Sequence, residues 1–214
     1  MRLLSTTIAM FSLFILFLCF VSECTVWGLD CSADNLAKCL TWMEQMSRIE
    51  KMAYTEEELK NICHHLHLSF SCVSRYRSNC FTSKQQKIFD QLFSETEVFV
   101  KDLCIPGPFQ QRYLNHTGCI YEALKDEKIC APEFNEKMAS LNFEENNDFN
   151  YDIKVHCCAL HKYILCQKEL LTKSCGEAAA EIHQIIGERI SGPQIKLVCS
   201  PYETSEYCNN NISE

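Results

Sequence analysis

Apolar residues along this chain recur at helical spacing. Leu36, Cys39, Leu40, Met43 and Met46 mark one stretch, Leu59, Cys63, Leu66, Phe70 and Val73 a second, and Ile88, Phe89, Leu92, Phe93, Val100 and Leu103 a third. Each set places its apolar side chains on one face of a helix. Thr55 with Glu58 and Thr82 with Gln85 form capping-box pairs that locate the starts of the second and third helices. Pro106-Gly107-Pro108 then reads as the stop of this half, because proline cannot donate into a continuing helix and glycine favours the break. Downstream the pattern restarts. The segment from Cys119 to about Ser140 is a looser first element interrupted by Pro132, and Asn142 to Asp152, rich in Asn, Asp and Glu, reads as a loop. Ile153, Cys157, Leu160, Ile164 and Leu171 mark a fifth helix, and Glu177 to Ile190 a sixth that Gly192-Pro193 bends or ends. No strand-like alternation of useful length occurs, so the pattern predicts an all-α chain.

Cysteine spacing sharpens this picture. Cys31, Cys39, Cys63, Cys72, Cys80 and Cys104 are separated by steps of 8, 24, 9, 8 and 24; Cys119, Cys130, Cys157, Cys166, Cys175 and Cys199 follow at steps of 11, 27, 9, 9 and 24. The window Leu59-Lys60-x2-Cys63-x2-Leu66-His67-x2-Phe70-x-Cys72 also lies over Ile153-Lys154-x2-Cys157-x2-Leu160-His161-x2-Ile164-x-Cys166 at identical spacing. The expected architecture is therefore two repeated disulfide-bonded three-helix units: residues 25–108, then a linker over 109–118, then 119–208, and a tail over 209–214. At roughly 90 residues each, such units need cross-links to supplement a modest core.

The first 24 residues read as a signal peptide, with Arg2 ahead of an apolar stretch from Ile8 to Val21 and small residues, Ser22 and Cys24, before the expected cut. The stretch is shorter than a membrane span usually needs, which sets the alternative of an uncleaved anchor behind it. The C-terminal Asn-Ile-Ser-Glu lacks the hydrophobic tail of a lipid-anchor signal. Removal of the signal takes Cys19 and Cys24 from the 16 cysteines and leaves 14, an even number. That density persists in an oxidising environment, so a secreted, extracellular protein is expected. Asn115-His116-Thr117 and Asn211-Ile212-Ser213 are N-glycosylation sequons. The net charge of −8 argues against nucleic acid and anionic membrane surfaces as partners, since both call for a basic patch.

Helix geometry prunes the possible pairings. Along a straight helix Cys80 and Cys104 would stand about 36 Å apart, at about 1.5 Å per residue, far beyond disulfide reach. In an antiparallel hairpin bonded positions add to a nearly constant number. Cys31 with Cys80 and Cys39 with Cys72 both give 111, and Cys119 with Cys175 and Cys130 with Cys166 give 294 and 296. Cys63 with Cys104 and Cys157 with Cys199 remain, and Cys158 with Cys208 would strap the tail to the fifth helix. A rival ladder, Cys31 with Cys72 and Cys39 with Cys63, also has constant sums but strands Cys80 and Cys104.

Candidate chemistry is sparse. Cys157-Cys158-Ala159-Leu160-His161 is similar to the double cysteine and catalytic histidine of secreted phospholipases A2. Lys162 stands where that family has a calcium-binding aspartate, the next cysteine is five residues past the histidine instead of three, and no glycine-rich calcium loop precedes the motif. His64, His65 and His67 fall within one helical turn, but no nearby carboxylate or free thiolate completes a zinc set. Phe81, Phe89, Phe93 and Phe99 could line an apolar cavity, or simply form core. Six-cysteine odorant-binding proteins share a Cys-to-Cys step like Cys63 to Cys72 but have a Cys-x3-Cys that is missing here. The acidic residues around Asn146, Asn147 and Asp148 read as a solvated loop.

From Cys157 to Cys208 the chain resembles a family of secreted cysteine-rich domains of nematodes and arthropods whose function is unassigned. The resemblance rests on Cys157-Cys158, Cys166, the Cys175-Gly176-Glu177-Ala178-Ala179 run, Cys199 and Cys208. Half one fits less well, with Phe81 after Cys80. The resemblance implies a helical, disulfide-bonded extracellular protein and carries over no catalytic residue. The sequence thus leads to a non-enzymatic secreted glycoprotein without cofactor or metal, binding an extracellular protein or an apolar small molecule. The alternatives are a diverged lipid hydrolase using His161 and a structural extracellular component.

Overall fold

The computed structural model describes residues 31–47, 53–125, 128–141, 149–202 and 208. The signal region, the loop residues Asn146, Asn147 and Asp148, and Asn211 lie outside them, as do the side chains of Met43 and Met46. Seven α-helices and no strand are present among the described residues. The chain divides into two compact units between Gly118 and Cys119.

In the first unit α1 (Ala33–Ser47), α2 (Glu56–Cys80) and α3 (Ser83–Cys104) run in sequence. Disulfides Cys31–Cys80 and Cys39–Cys72, each with Cα atoms 5.4 Å apart, clip α1 antiparallel to α2. Between them Leu36, Leu40, Val73, Tyr76 and Phe81 form a core against which Phe89 packs. Both expected capping boxes are present. The Glu58 amide donates to Thr55 Oγ1 at 3.2 Å while Glu58 Oε2 accepts from the Thr55 amide at 3.1 Å. The Gln85 amide likewise donates to Thr82 Oγ1 at 3.3 Å, and Gln85 Oε1 accepts from the Thr82 amide at 2.8 Å. Phe81 and Thr82 alone turn the chain from α2 to α3, and Cys63–Cys104 ties the far end of α3 back to α2.

The segment 109–118, expected as a linker, is helical. Pro106-Gly107-Pro108 ends α3, but Pro108 is also the first residue of α4 (Pro108–Leu124). The lost proline amide is no defect at that position, where an intrahelical partner is missing anyway, and the fixed φ suits a helix start. The Gln111 amide closes the first turn on the Gly107 carbonyl at 3.0 Å. The boundary between the units consequently falls inside a helix.

The second unit holds the end of α4, α5 (Ala131–Ala139), α6 (Phe149–Cys175), α7 (Glu177–Cys199) and a 3-10 turn at Ser200–Tyr202. Its disulfides are Cys119–Cys175, Cys130–Cys166, Cys157–Cys199 and Cys158–Cys208. The first three recur in the order of the first unit; four of the seven pairs are those with nearly constant sums, and the other three are the pairs that remain. The helices do not match element for element. The arm carrying Cys119 and Cys130 consists of two pieces, and Pro132 lies in the first turn of α5 and so opens a helix instead of interrupting one. α6 begins at Phe149, inside the stretch expected as loop, with Asp152 in its first turn, where the helix dipole favours a carboxylate. α7 continues through Gly192-Pro193 to Cys199, past the end expected at Ile190. Proline removes one helical hydrogen bond there, while Cys157–Cys199 holds the final turn against α6. The corner from α6 to α7 is the single residue Gly176, at φ 88°. Leu160 and Leu171 of α6 and Ala179, Ala180 and Ile182 of α7 are buried.

Candidate functional site

The most elaborate polar arrangement of the first unit lies on the inner face of α4. Gln110, Tyr113 and Thr117 follow one another at spacings of three and four, which puts them on one side of the helix, and all three are buried. Thr117 is 0 % exposed, and its hydroxyl donates to the Ala53 carbonyl at 2.9 Å. The Tyr113 phenol oxygen accepts from the Ala53 amide, and burial pushes the phenol up to about 12. Gln110 Nε2 donates to the Leu103 carbonyl at 2.9 Å, securing the corner between α3 and α4. The Tyr54 ring lies 3.9 Å from the place a Cβ would take on Gly118. Together these contacts fix α4 over residues 53–54, immediately before the cap of α2. Asn115 is exposed.

The phenylalanines expected either as a cavity lining or as core are brought together as a ladder of rings. Tyr76 meets Phe81 edge-on at 5.6 Å, Phe81 meets Phe89 at 5.8 Å, and Phe89 stacks on Phe93 at 4.3 Å. Arg77 sits 6.0 Å from the Phe89 ring centroid and pairs with Asp90, a cation-over-ring contact at the third ring of the ladder. Phe99 stands apart from this set and packs edge-on against Phe109 of α4 at 5.9 Å.

In the second unit two imidazoles are held inside. His156 Nδ1 lies 3.1 Å from Met138 Sδ, near the Phe134 ring, and burial lowers its pKa. His183 of α7 places Nε2 3.4 Å from Gln167 Oε1 of α6, and burial lowers its pKa. Gln167 also hydrogen-bonds the Tyr163 phenol, which burial pushes up to about 12. The Tyr163 ring packs on Phe134 of α5 at 5.1 Å. The partly buried His183 and the buried Gln167 and Tyr163 thus form one polar chain across α6 and α7.

His161 lies outside this chain. It is half-buried on α6, and among the described residues no carboxylate is hydrogen-bonded or ion-paired to it. The neighbouring Lys162 pairs with Glu133 at 3.6 Å. His64 and His65 meet edge-on at 5.5 Å, and His67 is exposed. Among the described residues no group of three or more His, Cys, Asp or Glu is placed to hold a metal ion, and no helix is long and apolar enough to cross a membrane.

The polar face of α4 and the His183–Gln167–Tyr163 chain carry no signature in the sequence, since their residues neither form an apolar stripe nor match a motif. The only available hints were Pro108 at a helix start and the helical spacing of Gln110, Tyr113 and Thr117. Comparison with protein-family models, with curated proteins and with solved structures finds no match.

Proposed function

We propose that this chain is a secreted, disulfide-rich helical glycoprotein that works by binding an extracellular protein and performs no catalytic step of its own. The observation that carries the reading is the pairing of Cys31 through Cys208 into seven disulfides. Cross-links of that density suit an oxidising compartment and hold the helices so that binding energy is not spent on ordering the scaffold. Recognition of a protein is favoured over carriage of an apolar molecule because Phe81, Phe89 and Phe93 contact one another, leaving their faces engaged. The catalytic alternative draws no support from His161, whose neighbour Lys162 is paired with Glu133.

Native mass spectrometry of the protein collected from culture medium tests this reading. A chain of the processed mass without a small-molecule adduct is expected. A stoichiometric apolar adduct would overturn the choice of a protein partner, and calcium-dependent esterase activity lost in His161→Ala would overturn the non-enzymatic reading.

A further inference from the structure

The sequon Asn115-His116-Thr117 lies wholly within α4, and its two essential side chains have opposite fates. Asn115 is exposed; Thr117 is 0 % exposed, with its hydroxyl bound to the Ala53 carbonyl at 2.9 Å across 64 residues of sequence. Helical side chains two positions apart do not face each other. An enzyme transferring a glycan must hold the asparagine amide and the hydroxyl two residues on at the same time. In the folded unit that is impossible on both counts. The hydroxyl lies beneath the helix, and the helix turns it away from the amide.

We infer that Asn115 is a modification site open only before α4 docks on residues 53–54, so that glycan transfer and closure of the first unit compete for the Thr117 hydroxyl. This rests on the secretory reading above. The donor is an oligosaccharide on a lipid pyrophosphate. The bond from Nδ2 of Asn115 to C1 of the first sugar forms as the C1–oxygen bond to pyrophosphate breaks, the pyrophosphate leaves with the electron pair, and Nδ2 gives up one proton. A glycan added in that interval is compatible with the finished fold, because Asn115 ends on the outer side of α4 while Tyr113 and Thr117 take their places on Ala53. Occupancy is then governed by how fast the first unit folds. Cys63–Cys104 bears on that rate directly, since it fixes the end of α3 only four residues before Pro108.

The full chain carrying Asn211→Gln, which leaves Asn115 as the sole sequon, is translated with microsomes in the presence or absence of dithiothreitol. Protease protection reports entry, and an endoglycosidase-sensitive mobility shift reports transfer. In a second arm the mature chain, made without glycan, is presented to microsomal transferase and lipid-linked donor either oxidised and folded or reduced and alkylated. Transfer to the unfolded form at least tenfold above the folded form is expected, with a Thr117→Ser chain behaving alike and a Thr117→Val chain unmodified throughout. Equal transfer to folded and unfolded protein, or none to a protected chain in either redox state, would overturn the inference and leave secretion standing. Absence of protease protection would instead remove the secretory reading and the inference with it.

Discussion

The Tyr76 hydroxyl donates to the backbone carbonyl of Cys31 at 2.8 Å, joining residues 45 positions apart. Tyr76 lies on α2 one turn before Cys80, the cysteine to which Cys31 is bonded. The side chain thus reinforces the same closure from the next turn, and its ring adds an edge contact with Phe81. Tyr76→Phe keeps the ring and removes the hydrogen bond. It is expected to lower the stability of the first unit by about 1 kcal/mol, against about 2–4 kcal/mol for removing the Cys31–Cys80 bridge. Urea denaturation of both variants checks the ratio, and a Tyr76→Phe loss equal to that of the bridge would contradict it.

Gly176 and Gly187 should respond in opposite directions to alanine. Neither has an atom within 4 Å of a new Cβ, but Gly176 holds φ 88° at the corner between α6 and α7. Gly176→Ala is expected to cost about 1–3 kcal/mol through backbone strain. Gly187 lies inside α7, so Gly187→Ala is expected to stabilise by up to about 1 kcal/mol. Thermal unfolding of the pair reads the difference in sign.

Acid should weaken the second unit through His183. Burial lowers its pKa in the fold from the ordinary 6.5, so the unfolded chain takes up the proton first as pH falls. The contribution is fully present above about 6.5 and is lost as pH falls toward the lowered value. His156 is lowered as well and acts in the same direction. Denaturation midpoints measured between neutral and mildly acidic pH should fall, and His183→Gln should flatten the slope. An unchanged slope in that variant would show that His183 is not the group responsible.

Thr117 also has a role independent of any glycan. Thr117→Val removes its bond to the carbonyl of the buried Ala53, while Tyr113 is held separately by the Ala53 amide. A loss of about 1 kcal/mol is expected for the single variant. Combining it with Tyr113→Phe removes both side-chain contacts to residue 53, and because the two share that partner their losses are expected to depart from additivity by at least about 0.5 kcal/mol. Denaturation of the four-member cycle measures that coupling.

Local rules made much of this fold legible. Thr55 with Glu58 and Thr82 with Gln85 are signals whose meaning depends on three residues, and both form the reciprocal caps their spacing implies. Four of the cysteine pairs are legible because an antiparallel hairpin turns a spatial constraint into arithmetic on sequence positions, and the other three follow by elimination. Proline misled for a physical reason. Pro108 and Pro132 were read as breaks, yet a proline in the first turn gives up an amide that has no intrahelical partner. Pro193 breaks one hydrogen bond inside α7, and the helix persists to the disulfide at Cys199. The contacts of Gln110, Tyr113 and Thr117 were hidden because they bury a polar face, and hydrophobic periodicity does not register such a face.

The framework of seven bridges is tested most directly by mass-spectrometric mapping of peptides from the native protein, digested without reduction and with free thiols blocked. Peptides linked as Cys31–Cys80, Cys39–Cys72, Cys63–Cys104, Cys119–Cys175, Cys130–Cys166, Cys157–Cys199 and Cys158–Cys208 are expected, with no blocked thiol among these fourteen. A Cys80–Cys104 peptide, the rival Cys31–Cys72 and Cys39–Cys63 ladder, or several blocked thiols would contradict it.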